Sequence, residues 1–270
     1  MSQKASRDRR LACIYPDLYQ NPMVIDQHLY ATSMFSGVSL FDISDPMALS
    51  LHSNYDQSVL EFASASAVSQ NKAVVGGGLF FEINNSGFSL NILNVELSAD
   101  PVLLSQLAIS YQPQDIAIKD DVVFVLGSEN DLDTYRISST NELSELGSLV
   151  VPTDNFPLEI ILSGQYGYLS QTGGLISVLD ISDPSSPFEI LSIDAQGAIA
   201  DIHLSDNLMF IAGQAGNIQV LDVENPEVPE FVGNFHTSSK ARAITVLNNK
   251  VFIATMDEVL ISELPVESVP

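Results

Sequence analysis

The chain repeats itself with a period in the low forties, and that periodicity limits its fold more than any other feature. Aligned on an acidic residue that closes a short apolar run, six segments fall into register. They are "GVSLFDISDP" (37–46), "SLNILNVELSADP" (89–101), "LDTYRISST" (132–140), "LISVLDISDP" (175–184), "NIQVLDVENP" (217–226) and "EVLISELP" (258–265). The anchors are Asp42, Asn94, Arg136, Asp180, Asp222 and Glu263, spaced 52, 42, 44, 42 and 41 residues apart. A fixed period of this size means stacked copies of one supersecondary unit, each burying its apolar faces against its neighbours.

Within each period the same grammar returns. A β-rich run such as "QDIAI" (114–118), "LEIIL" (158–162) or "ADIHL" (200–204) is followed by two to four turn residues, often Asp, Asn or Gly. A second run follows, for example "VVFVLG" (122–127) or "LMFIAG" (208–213), then the anchor strand, then a fourth run such as "PFEILSI" (187–193). Runs of four to seven residues rich in Val, Ile, Phe and Tyr between turn signals read as strands. No stretch holds a helical period. Four short strands per unit predict a β-propeller, and six units predict six four-stranded blades. A seven-bladed count is the alternative ring, and a stacked β-solenoid or a β-sandwich the alternative architecture. The last unit lacks a fourth strand, whereas "RLACIY" (10–15) precedes the first unit unassigned. That N-terminal run is expected to supply the missing outer strand and close the ring, giving a basic tail over 1–9 and one propeller domain over 10–270.

The repeats resemble the LVIVD repeat family, through "GLISVLDISDPSSPFEIL" (174–191), "GNIQVLDVENPEVPEFVG" (216–233) and, nearly as well, "GVSLFDISDP". The units ending at Arg136 and Glu263 depart from the pattern, losing the Asp and the Asp-Pro step. The resemblance implies a β-propeller, often part of a secreted or cell-surface bacterial or archaeal protein. It implies no catalytic residue.

Composition narrows the partners. Apolar residues make up 46% and charged residues 16%, so the chain is globular rather than an acidic disordered tail. Four of the ten Lys and Arg residues crowd the first ten positions, and from residue 11 onward six basic residues face 33 acidic ones. Such a body repels phosphate backbones and anionic lipid, and favours basic partners and divalent cations. No apolar run approaches the roughly 20 residues of a membrane span. Cys13 is the only cysteine, which leaves no intrachain disulfide. The start "MSQKASRDRR" has the charge of a leader but is followed by no apolar h-region. Localisation outside the cytoplasm therefore rests on the resemblance alone, and a cytoplasmic setting is equally compatible with these residues. A monomer is expected.

Three groups of residues are candidates for function. The repeated Asp42, Asp180 and Asp222, with Asp45-Pro46, Asp183-Pro184 and Asn225-Pro226, read as turn punctuation, because Asp or Asn before Pro caps the backbone ahead. Asp115, Glu159 and Asp201 are sharper. Each opens a first strand and precedes Ile, with Asn21 in the first unit and Ala65 and Ala243 in the second and sixth. First strands line a propeller's central channel, so these acids either converge on a hard cation such as Ca²⁺ or bond backbone amides at the strand starts. His203 lies two residues after Asp201 as a possible base for a metal-assisted hydrolase or lactonase. The third group is the enlarged connection in the second unit, "GGGLFFEINNSGFSL" (76–90), which reads as a hairpin offering Leu79, Phe80, Phe81 and Phe88 to a partner. In "GSENDLDTY" (127–135), Glu129, Asp131 and Asp133 lack the spacing of a calcium loop and read as a solvated turn.

The expected function is a non-enzymatic binding module that presents loops to a protein or glycan partner. The alternative is a Ca²⁺-assisted hydrolase or lactonase at the channel mouth. Deletion of residues 1–16 is expected to lower the melting temperature by many degrees; an unchanged melt would show that this segment closes nothing.

Overall fold

The computed structural model describes residues 19–25, 27–33, 37–45, 50–54, 60, 62–78, 87–95, 101–128, 131–151 and 155–263. Six antiparallel sheets, each formed of strands consecutive in sequence, are arranged as the blades of a ring. Blade 1 holds β1 to β4 (Tyr19–Ile25, His28–Ser33, Gly37–Asp42, Ser50–Asn54) and blade 2 holds β5 to β8 (Phe62–Ser69, Lys72–Gly78, Phe88–Asn94, Val102–Ile109). Blade 3 holds β9 to β12 (Pro113–Lys119, Val122–Gly127, Asp131–Ile137, Leu143–Val150), and blade 4 holds β13 to β16 (Pro157–Ser163, Tyr166–Gln171, Leu175–Asp180, Phe188–Asp194). Blade 5 holds β17 to β20 (Ile199–Ser205, Leu208–Gly213, Asn217–Asp222, Glu230–His236), and blade 6 holds β21 to β23 (Ala241–Leu247, Lys250–Thr255, Val259–Glu263). The protein is a six-bladed β-propeller, as the period predicts. Residues 1–9 and 10–15, the expected tail and closing strand, lie outside the described residues, and among those described β23 pairs only with β22.

The repeated sequence maps onto repeated geometry. Each anchor except Arg136 is the last residue of the third strand of its blade. The anchors Asp42, Asp180 and Asp222 accept, through Oδ1, the N–H of the residue two positions on (Ser44, Ser182 and Glu224), each at 2.8 Å. Asp183 adds a second turn cap, accepting from Ser185 N–H at 3.0 Å and Ser185 Oγ–H at 2.7 Å. Hydrogen bonds from Ser44, Ser182 and Ser185 hold the Asp42, Asp180 and Asp183 carboxyls below the usual range. The next residue donates its N–H to the turn between the first and second strands. Thus Ile43, Val95, Ile137, Ile181 and Val223 reach the carbonyls of Gln27, Asn71, Asp121, Gln165 and Asn207 at 2.7–2.9 Å. That turn needs a left-handed residue, supplied by Gln70, Asp120, Gly164, Asp206 and Asn248 with φ of 51–57°, which is why Asp, Asn and Gly recur there.

Two bulges recur as well. In blades 1 to 5 the outer strand carries one extra residue opposite the position two before the anchor, as between Val178 and Leu179 in blade 4. The first strand carries another just inside its start in blades 2 to 6, at Ser64, Gln114, Leu158, Ala200 and Arg242. A bulge turns the following side chain away from its regular direction.

Burial follows from the packing of sheet on sheet. The second strand of blade 3, β10, is buried at every residue, whereas the outer strand β8 alternates exposed and covered positions. Five apolar clusters fill the junctions between successive blades from blade 1 to blade 6. Among the described residues none joins blade 6 to blade 1, and on blade 6 Leu247, Val259 and Ile261 are exposed. In "GGG" the first two glycines serve close approach. A Cβ on Gly77 would sit 2.0 Å from the Phe62 carbonyl oxygen, and one on Gly76 would sit 2.6 Å from the Pro113 ring of the next blade.

Phe124, 1% exposed at the junction of blades 3 and 4, is a direct measure of this packing. Phe124→Ala is expected to lower stability by about 3–5 kcal/mol in urea unfolding; a loss below about 1 kcal/mol would mean that the junction repacks freely.

Candidate functional site

The first-strand acids stand immediately after the inner bulge, at the third position of strands that are all seven residues long. That placement sends each carboxylate sideways into the next blade. Ile160 N–H of blade 4 donates to Asp115 Oδ2 of blade 3 at 2.8 Å. Ile202 N–H of blade 5 donates to Glu159 Oε1 of blade 4 at 2.8 Å. Ile244 N–H of blade 6 donates to Asp201 Oδ2 of blade 5 at 2.7 Å. The three acids thus form a relay of side-chain straps from blade 3 to blade 6. The reading in which they bond amides holds in a specific form: the amide belongs to the following blade.

Where the acid is missing, the strap is missing. Ala65 and Ala243 occupy its position in blades 2 and 6. At the junction of blades 2 and 3, Ser64 on the bulge instead donates its hydroxyl to the Pro113 carbonyl at 2.7 Å. In blades 4 to 6 the donor is the fourth residue of the first strand, and in β1 the fourth residue is Pro22, which has no N–H. Blade 6 therefore offers no acceptor here, and blade 1 no donor.

The electrostatics match the crowding of like charges. Burial pushes the Asp115 carboxyl up to about 6, against hydrogen bonds from the Ile160 and Ile116 amides that favour its charged form. Glu159 is raised further, by burial and then by the negative charges of Asp201 and Asp115, and its side chain hydrogen-bonds that of Asp201. Asp201 is raised by burial. Burial and like charge thus disfavour two carboxylates at this pair, and Ser170 Oγ–H approaches Glu159 Oε1 at 3.4 Å. His203, one alternation further along β17 than Asp201, is half-buried, and burial lowers its pKa, which keeps the imidazole neutral at pH 7. Among the described residues no group of three or more His, Cys, Asp and Glu is arranged to hold a metal ion.

The other expectations fall out as follows. Leu79, Phe80, Phe81 and Glu129 lie outside the described residues. Phe88 opens β7 and packs edge-to-face on Phe62 of its own blade, with ring centroids 6.0 Å apart and planes at 88°. Asp131 and Asp133 belong to the strand β11 rather than to a turn. Asp133 enters a cleft of about 500 Å³ between blades 2 and 3, together with Tyr111, Tyr135 and Glu145. Sequence reasoning passes over this group because Tyr135 occupies the apolar slot before the anchor, filled by Leu or Phe in the clearest repeats.

The raised pKa of Asp115 gives a signed prediction. The folded chain holds this proton more tightly than the unfolded chain. Its contribution to stability is complete below about pH 4 and is lost as the pH rises through about 6. Asp115→Asn keeps a carbonyl for Ile160 and stays neutral. It is expected to remove about 1–2 kcal/mol of the decline that wild type shows across that window, once solvent screening is allowed for. Parallel urea midpoints at the two ends of the window measure this, and identical declines would exclude Asp115 as the group responsible.

The comparisons with known proteins agree with this architecture. The LVIVD repeat pattern matches residues 158–195 and 196–237, which are blades 4 and 5. No curated protein matches the sequence significantly. Among solved structures, a Lactobacillus plantarum protein superposes with a TM-score of 0.73 at 14% identity, covering 91% of this chain and 81% of that one. The periplasmic gluconolactonase of Pseudomonas aeruginosa superposes with a TM-score of 0.71 at 13% identity, over 88% of this chain and 78% of its own. A functionally unknown protein from Desulfotomaculum acetoxidans gives 0.68 at 16%, over 84% and 71%. Likeness at such low identity speaks to fold. The chain is a six-bladed β-propeller whose blades 4 and 5 match the LVIVD repeat.

Proposed function

We propose that the protein is a non-enzymatic binding module that presents propeller-face loops to a protein or glycan partner. The observation that carries this reading is the use of the channel acids. The side chains that a hydrolytic centre would present to a cation or substrate each accept a backbone N–H of the neighbouring blade, at 2.7–2.8 Å. Their function in that reading is to hold a rigid platform. Rigidity suits recognition, because a surface fixed before binding loses little freedom on binding. A net charge of −24 at pH 7 favours basic partners and opposes nucleic acid and anionic membrane. A secreted or cell-surface setting and a monomeric state belong to the same proposal.

The competing reading is a Ca²⁺-assisted hydrolase or lactonase with Asp115, Glu159 and Asp201 around the ion. It draws on the fold shared with the periplasmic gluconolactonase, whose activity is stated of that protein alone. Melting curves with and without millimolar Ca²⁺, beside hydrolysis of a gluconolactone followed by acid release, separate the two. Binding-module behaviour predicts no calcium-dependent gain and no turnover. Asp201→Ala then costs only the strap, about 1–3 kcal/mol for an amide left without its acceptor. A calcium-dependent rise in melting temperature that Asp201→Ala abolishes, with lactone turnover, would replace this proposal by the enzymatic one.

A further inference from the structure

The cleft between blades 2 and 3 brings acidic and aromatic side chains together. It has a volume of about 500 Å³ and opens between β8 on one side and β11 and β12 on the other. Leu107 and Leu143 give it an apolar base and pack against the core that joins the two blades. Above them Tyr111 and Tyr135 stand with hydroxyl oxygens 3.4 Å apart. Both hydroxyls lie within electrostatic reach of the Asp133 carboxylate. Glu145 on β12 completes the wall. The Tyr111 ring is seated against the backbone of Gly127, where a Cβ would meet Cδ2 at 2.9 Å.

Among the described residues no lysine or arginine lines this cleft. Asp133 is raised by burial and by the charges of Asp131 and Glu145, while the Tyr111 hydroxyl works in the opposite direction. Tyr111 and Tyr135 are both raised, first by burial, so the two phenols stay neutral donors. The result is concentrated negative charge beside aromatic faces over an apolar floor.

We infer that this cleft receives a basic side chain, arginine before lysine, from a protein partner. Each part of the lining answers a part of that ligand. The carboxylates of Asp133 and Glu145 take charge-assisted hydrogen bonds from a guanidinium. The partly buried Tyr111 ring attracts a cation at the cleft. Leu107 and Leu143 cover the methylene stem. The volume lies within the range of small-ligand sites and leaves room for flanking backbone beside one such side chain. A hard metal ion fits poorly, because it takes six or more oxygens and half of this lining is apolar. An anion is repelled, and a neutral sugar would leave the opposing carboxylates unrelieved.

This inference rests on the binding-module reading and specifies its partner chemistry. The test is calorimetric titration of the full chain at about 0.15 M salt with a hexa-arginine peptide, and with maltohexaose as a neutral probe. Asp133→Asn and Glu145→Gln are expected to weaken hexa-arginine binding at least about tenfold each, as removal of a charged partner does. Glu263→Gln, an equal loss of charge on blade 6, is expected to change it less than about twofold. Tyr111→Phe keeps the ring and should weaken binding less than Asp133→Asn. Glu145 is exposed, so its variant keeps the test valid if Asp133→Asn perturbs folding, which melting curves report. Equal effects of Glu145→Gln and Glu263→Gln would assign binding to bulk charge and overturn the inference. Absence of hexa-arginine binding would overturn it too, as would maltohexaose binding that the cleft variants abolish. Any of these without lactone turnover leaves the binding-module reading standing; turnover removes that reading instead.

Discussion

A sheet of four short strands has two apolar faces and no means of covering either, and this constraint governs the whole molecule. Each blade solves it by lending one face to the blade before and the other to the blade after. Middle strands such as β10 are therefore buried throughout, whereas outer strands such as β8 alternate. Packing of this kind is strong but not directional. The hydrogen bonds add direction. At one end of blades 1 to 5, the residue after the anchor ties the third strand to the first turn; at the other, Asp115, Glu159 and Asp201 tie one blade's opening strand to the next.

Much of this was legible in the residues, and the boundary of legibility has a physical cause. The anchor aspartates declared themselves as turn caps, since Asp before a Ser-Asp-Pro step has few other local uses, and the structure shows those caps at 2.8 Å. The third-position acids were legible as a set because they share a place in a repeat. Their partner was not. It depends on a bulge that changes no residue type and on an amide more than 40 residues away, which any non-proline residue could supply.

The cleft between blades 2 and 3 lay deeper still. Tyr135 follows the repeat's apolar pattern, Asp133 reads as one more polar residue in an acidic stretch, and Tyr111 stands outside every strand. Only the approach of β8 to β11 and β12 brings them together. The run "GGG" is a milder case: its value lies in what a Cβ would strike, the Phe62 carbonyl and the Pro113 ring, and neither is visible without the fold.

Pro22 gives the ring a polarity that its near-sixfold outline conceals. Each acid serves the blade that follows, through an amide that demands no particular side chain, so a whole repeat could be inserted or lost within the strapped arc without a matching change in its neighbour. At blade 1 that tolerance ends, because Pro22 has no proton to give and Ala243 no oxygen to receive it. Among the described residues the relay is thus a line with a beginning at blade 3 and an end at blade 6, not a circle. Along the line any non-proline residue can donate to a strap; at the seam Pro22 cannot.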